Sequence, residues 1–192
     1  MKSILIEKLN RSRVKPARIA LIGYRATGKT TIGKKLSEIL AWNFADTDNI
    51  IEEKELNTIE DIVNKQGWEY FRQLEASVLR SIASQDQVVV STGGGIILAE
   101  ENRKILKKHF FVVWLQASSD VIKMRLMNDS EKHQQRPSLS GKNIIDEVDK
   151  ILESRLKLYR DTADITVSTE KYDPDEVIDI IIRNLEERVQ HA

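Results

Sequence analysis

From residue 18 onward, short apolar runs alternate with stretches of helical period. Ile19 to Ile22 is one such run. It ends at Gly23, and after a loop Ile32, Leu36, Ile39 and Leu40 recur at helical spacing. Val88 to Val90 repeats the unit, running into Ser91, Thr92 and three glycines, with helix-like sequence after Leu98. Phe110 to Leu115 is a third run, followed by Ser118 and Ser119 as candidate caps for a helix starting near Asp120. A fourth, Ile165 to Val167, precedes a last helix from about Asp175, with Val177, Ile178, Ile181, Ile182 and Leu185 on its apolar face. Phe44-Ala45, just before Asp46, supplies a fifth short strand. Apolar runs without polar alternation, separated by helices, predict a parallel sheet buried on both faces. The expected class is α/β: a three-layer α/β/α sandwich around a five-stranded parallel sheet.

Two stretches interrupt this alternation. Residues 47 to 84 are helix-like throughout and predict a helical insertion over one edge of the sheet. Residues 128 to 141, NDSEKHQQRPSLSG, are polar and contain Pro137 and Gly141, which predicts a mobile surface loop. Together they would form a cleft with moving walls. No repeat is visible, and 192 residues suit one core, so a single domain is expected over 18–192 behind a tail at 1–17.

Composition narrows the function. Thirty basic and thirty acidic residues cancel, so the chain lacks the positive field of a general nucleic-acid binder. The absence of cysteine excludes disulfides, thiolate metal sites and cysteine nucleophiles. No apolar run approaches the roughly 20 residues of a membrane span. The tail carries Lys2, Lys8, Arg11, Arg13 and Lys15 against Glu7, but no apolar stretch suited to a secretory signal, and is read as a solvated segment or a short extra helix.

The strongest chemical signal is Gly23-Tyr-Arg-Ala-Thr-Gly28-Lys29-Thr30, which satisfies G-x-x-x-x-G-K-[ST] between an apolar strand and a helix. In such a loop the backbone N–H groups turn inward around phosphate oxygens. The helix end adds its dipole, Lys29 a full charge, and Thr30 a hydroxyl for Mg²⁺. Arg25 either adds charge there or faces solvent. Nucleotide binding follows, but kinases, GTPases and regulatory modules share it.

The remaining residues bear on the acceptor. Asp46 and Asp48, in FADTD, stand at the expected carboxyl end of the second strand, where ligands of open α/β sheets bind. They are read either as a metal and substrate pair or as helix caps. Gly93, Gly94 and Gly95 permit a ligand to approach the backbone closely. Arg72 has Glu75 three residues later, an expected (i, i+3) pair that would pin the guanidinium for a carboxylate ligand or form a plain surface bridge.

The ordered set GYRATGKTT, FADTD, FRQLE, STGGG, RPSL and RLKLY resembles the shikimate kinase family over residues 18 to 185. The resemblance implies a P-loop kinase fold of the nucleoside-monophosphate-kinase type, with residues 47–84 binding substrate and 128–141 as the lid. It implies transfer of the ATP γ-phosphoryl group to the 3-hydroxyl of shikimate, in aromatic amino acid biosynthesis, with Mg²⁺ as cofactor. Gly23, Ala26, Thr27, Gly28, Lys29, Thr30 and Thr31 would hold the ATP phosphates, and Arg125 and Pro174 would flank adenine. Thr30 and Asp46 would serve the metal. Asp48 would hold shikimate hydroxyls and assist deprotonation, Arg72 and Arg155 would grip its carboxylate, and Gly93, Gly94 and Gly95 would contact its ring substituents. Arg136, in QRPSL, would be the closing arginine, acting on both ATP and the transition state. Lys29, Asp48 and Arg136 are thus the expected catalytic residues. RPSL stands where RPLL is commoner, and the tail before Arg18 is longer than usual.

A cytoplasmic monomer without nucleic-acid or membrane partners is expected. Two rivals remain open at this stage: a gluconate-type small-molecule kinase and a non-catalytic nucleotide-binding regulatory module.

Overall fold

The computed structural model describes residues 18–128 and 144–190. The expectations placed on residues 1–17, on the lid beyond Asn128 and on Arg136 lie outside the described residues. In chain order the elements are β1 (Arg18–Ile22), α1 (Lys29–Leu40), β2 (Asn43–Asp46), α2 (Thr47–Glu55), α3 (Ile59–Ala83) and β3 (Val88–Ser91). A 3₁₀ turn at Ile96–Leu98 follows, then α4 (Glu100–His109), β4 (Phe111–Gln116), α5 (Ser119–Asn128), α6 (Ile144–Thr162), β5 (Ile165–Ser168) and α7 (Pro174–Gln190). The strands form one parallel sheet in the order β2-β3-β1-β4-β5, as the alternation of apolar runs and helices predicts.

The strands read as uninterrupted apolar runs because both faces are covered, and the pleat divides their residues between two cores. Ile19, Leu21, Val89, Phe111, Val113 and Leu115 pack with Ile32 and Leu36 of α1 and Val177, Ile181 and Leu185 of α7. Ala20, Ile22, Val88, Val90, Val112 and Trp114 point the other way, against Ile51 of α2, Phe71 and Leu79 of α3, Leu106 of α4 and Tyr159 of α6. Each such Leu or Ile side chain, fully buried, contributes about 1.5–3 kcal/mol. The three layers follow directly.

Local signals set the helix ends. Ser118 accepts the Val121 N–H at 3.4 Å and so caps α5, one of the two serines expected there. Thr58 accepts the Asp61 N–H at 3.1 Å and starts α3. Phe110, expected to open the fourth strand, instead closes α4, its N–H donating to Leu106 O at 3.0 Å. Within α3, Gly67 leaves helical geometry at φ 83° and ψ 168°, so the insertion turns a corner there. The register then decides what meets at the carboxyl edge. Leu21 pairs with Ser91, and Asp46 pairs with Ser91 from the other side. The loops after β1, β2 and β3 therefore open side by side.

Candidate active site

β1 leads into the loop from Gly23 to Gly28, and Lys29 opens α1. Gly28 is the N-cap residue, no side chain caps the helix, and its first turn contains no acid. By contrast α2, α3, α4, α5 and α7 all carry Asp or Glu in their first turns. The leading N–H groups of α1 and the positive end of its dipole are thus left for an external anion. Lys29 is buried, its ammonium donating to Tyr24 O at 2.7 Å, and the Thr27 hydroxyl donates to the same carbonyl at 2.8 Å. Ala26 takes a positive φ of 59° in the bend, and Thr31 is exposed beyond Thr30.

A cluster of oxygens lies beside this loop. The Thr30 hydroxyl donates to Asp46 Oδ2 at 2.9 Å and stands 3.2 Å from Ser91 Oγ. The other carboxylate oxygen of Asp46 accepts the Asp48 N–H at 3.1 Å and caps α2. The capping considered for Asp48 therefore belongs to Asp46. Asp48 is buried in the first turn of α2. A Cβ placed on Gly93 would stand 2.6 Å from Asp48 Oδ1 and 3.0 Å from Glu75 Oε1. A side chain there would displace both carboxylates, so glycine is required by close approach. The Gly93 N–H donates to Thr47 Oγ1 at 2.9 Å.

From Asp48 a cavity of about 350 Å³ extends between α3, the glycine triplet and α6. Trp68 and Phe71, packed edge to face at 5.9 Å, line one wall, with Arg72 and Glu75 beside them and Tyr24 and Arg155 across. Glu75 turns inward and is 2% exposed, whereas Arg72 is exposed at the cavity.

Arg155 is buried on α6 and donates to Gly94 O at 3.0 Å, its Cζ 6.0 Å from the centre of the Tyr24 ring. Burial raises the Tyr24 phenol above its ordinary range, against the lowering effect of Arg25 and Arg155. Gly95 completes the turn before Ile96 and also lines the cavity. On the other side of β1, Arg125 donates to Ala26 O at 3.2 Å and to Thr169 Oγ1 at 3.0 Å. Thr169 lies in the loop that leads from β5 to Pro174 at the start of α7. Arg125 thus borders the P-loop, and Pro174 opens α7 beyond the loop that holds Thr169.

The structure gathers Asp48, Arg72, Gly93, Gly94, Gly95 and Arg155 around one cavity and sets Thr30 beside Asp46, and it adds Ser91, Thr47, Tyr24 and the inward turn of Glu75. Ser91 and Thr47 sit at strand ends next to residues already chosen, which is the signal they carry. The inward turn of Glu75 depends on packing and has none.

The family model described as Shikimate kinase matches residues 25–186. Shikimate kinase 2 of Photorhabdus laumondii subsp. laumondii is 46% identical over 143 residues, covering 74% of this chain and 81% of that protein. A shikimate kinase of Syntrophus aciditrophicus is 38% identical over 176 residues, 88% of this chain and 90% of its own. The solved shikimate kinase from Acinetobacter baumannii in complex with shikimate superposes with a TM-score of 0.81 at 33% identity, covering 88% of this chain and 93% of that one.

Proposed function

The chain belongs to the shikimate kinase family, and from that premise we infer that it transfers the ATP γ-phosphoryl group to the 3-hydroxyl of shikimate, giving shikimate 3-phosphate and ADP. The observation that carries this reading is the position of Asp48. It is a buried carboxylate lining a cavity that also holds three arginines, and its N–H binds Asp46, which in turn accepts from Thr30 in the acid-free first turn of α1.

We assign the roles accordingly. Gly23, Ala26, Thr27, Gly28, Thr30 and Thr31 present the loop and the first turn of α1 to the phosphates, and Lys29 places its charge there. Arg125 and Pro174 flank the adenine ring. Arg72 and Arg155 hold the shikimate carboxylate, and Gly93, Gly94 and Gly95 let the ring lie against backbone. Asp48 orients the 3-hydroxyl and takes its proton as attack proceeds. Arg136, assigned by resemblance, offsets charge on the equatorial oxygens of the transferring group. Most of the acceleration comes from position and electrostatics, because phosphoryl transfer asks little covalent chemistry of the protein.

The Thr30, Asp46 and Ser91 oxygens fit a small hard cation, with the Asp46 carboxylate 2.9 Å and the Ser91 hydroxyl 3.2 Å from the Thr30 hydroxyl. Thr30 and Asp46 would hold Mg²⁺, the latter directly or through water, and the ion when bound would neutralise β- and γ-phosphate charge. The protein is proposed to act as a monomer in the cytoplasm. The cavity is lined within one chain, and no described helix is long and apolar enough to cross a membrane.

A coupled ADP-release assay with Mg-ATP tests the reading against shikimate, gluconate, nucleoside monophosphates and no acceptor. Release with shikimate alone is expected. Release with gluconate alone would transfer the assignment to that acceptor, and no release from ATP-binding protein would favour a regulatory module. Asp48→Ala is expected to lower kcat by about 10²–10⁴-fold, with ATP affinity kept within about twofold.

A further inference from the structure

Three consecutive glycines have no side chains with which to hold a shape, and they are the most freely moving backbone a chain can offer. Here they form one wall of the cavity, so something else must fix them. The first is fixed from α2, through the Gly93 N–H to Thr47 Oγ1 bond, and its carbonyl accepts the Ile96 N–H at 3.1 Å. The middle one is fixed from α6. The Gly94 carbonyl accepts the Tyr159 hydroxyl at 2.6 Å and an Arg155 N–H at 3.0 Å, using both of its lone pairs.

Tyr159 lies one helical turn beyond Arg155, so the two side chains share a face of α6. It is fully buried, with its ring stacked on Trp114 of β4 at 5.6 Å and 15°. The phenol therefore cannot swing, and its oxygen is a fixed point supplied by the sheet. Burial pushes it up to about 12, against the opposing charge of Arg155, so it stays a donor throughout the neutral range. With one lone pair of Gly94 O taken by this fixed hydroxyl, the other is left at a defined place for Arg155. The Tyr24 ring limits the guanidinium from the cavity side.

We propose that Tyr159 is a positioning residue for acceptor binding: through the shared Gly94 carbonyl, its hydroxyl sets the orientation of both Arg155 and the glycine wall. The proposal rests on reading the cavity as the shikimate site. A hydroxyl used only for packing would affect folding. One used for positioning would affect the acceptor and leave the nucleotide alone.

The test is steady-state kinetics of Tyr159→Phe, alone and in an Arg155→Lys background, with thermal melts of each. Ile181→Val, a core change on the opposite face of the sheet from Tyr159, serves as the packing control. The expected result is a rise of about tenfold in KM for shikimate, with KM for ATP within about twofold. In the Arg155→Lys background the same change should cost less than about threefold, since the group through which it acts is already displaced. Ile181→Val should lower Tm yet leave KM for shikimate within about twofold. The proposal is overturned if Tyr159→Phe lowers Tm with KM for shikimate unchanged, if its effect is equal in both backgrounds, or if Ile181→Val raises that KM as much. If the unsubstituted protein binds ATP but does not turn over shikimate, the functional reading fails and takes this proposal with it. A Tyr159 result of the first kind leaves that reading standing.

Discussion

Adding one methyl group at position 93 should separate the two halves of the site. The Cβ of Gly93→Ala would meet Asp48 Oδ1 and Glu75 Oε1 inside their contact distances, and neither carboxylate is at the free end of an exposed side chain. The phosphate loop, anchored by Tyr24 O and the start of α1, does not touch that methyl group. KM for shikimate should therefore rise at least about tenfold, which a shift of roughly 1.4 kcal/mol suffices to produce, while nucleotide titration should show ATP binding within about twofold. Tyr159 supports a second prediction, about pH. Its phenol titrates at about 12 when folded and near 10 when unfolded. Below pH 10 both forms are protonated and no stability is lost. As pH climbs from 10 to 12 the unfolded chain ionises first, so stability falls, and the loss is complete above 12. Alkaline melts should thus decline more steeply for the unsubstituted protein than for Tyr159→Phe; equal slopes would contradict the burial argument. At this scale Lys29, Asp46 and Asp48 were legible because each belongs to a motif whose chemistry demands that residue type, and Arg155 only through the family resemblance. Glu75 was not, since one helical turn can present it outward or inward with equal ease.

Among the elements, α3 joins fold and specificity most closely. Its apolar positions predict a helix, and Thr58 and Asp61 cap its start, but Gly67 adopts a conformation open essentially to glycine alone. The corner it makes is followed at once by Trp68, Phe71 and Arg72, which line the cavity. Nothing lies within 4 Å of a Cβ built there, so Gly67→Ala would suffer backbone strain and no collision. The expected cost is about 1–3 kcal/mol, seen as a lower Tm in a thermal melt. A higher KM for shikimate should accompany it if the strained segment straightens and withdraws Arg72. An unchanged Tm would mean that the corner can be made without glycine. Helix α1 shows the opposite case. Its first turn, Lys-Thr-Thr without an acid, already announces in the sequence an uncapped positive end kept for an anion.

For the whole molecule, the sheet order matters more than any one element. Inserting β3 between β1 and β2 brings Ser91 beside Asp46 and the glycine triplet beside the P-loop, although 61 residues separate Thr30 from Ser91. Chelation of divalent cations should therefore abolish turnover, and added Mg²⁺ should restore it. Asp46→Asn should raise the Mg²⁺ concentration needed for half-maximal rate several-fold, measured by the same ADP assay; an unchanged requirement would place the ion elsewhere. The sequence by itself determined the class of fold and the phosphate loop and marked the acidic pair, because hydrophobic period and motif chemistry are local and survive without coordinates. Only the tertiary structure decided that of the two aspartates Asp46 caps α2, that Glu75 turns inward to face Gly93, and that Gly94 O is shared by Arg155 and Tyr159. Each of these depends on which buried groups compete for one acceptor or one space. That competition is settled by packing between elements far apart in the chain, which no local pattern records.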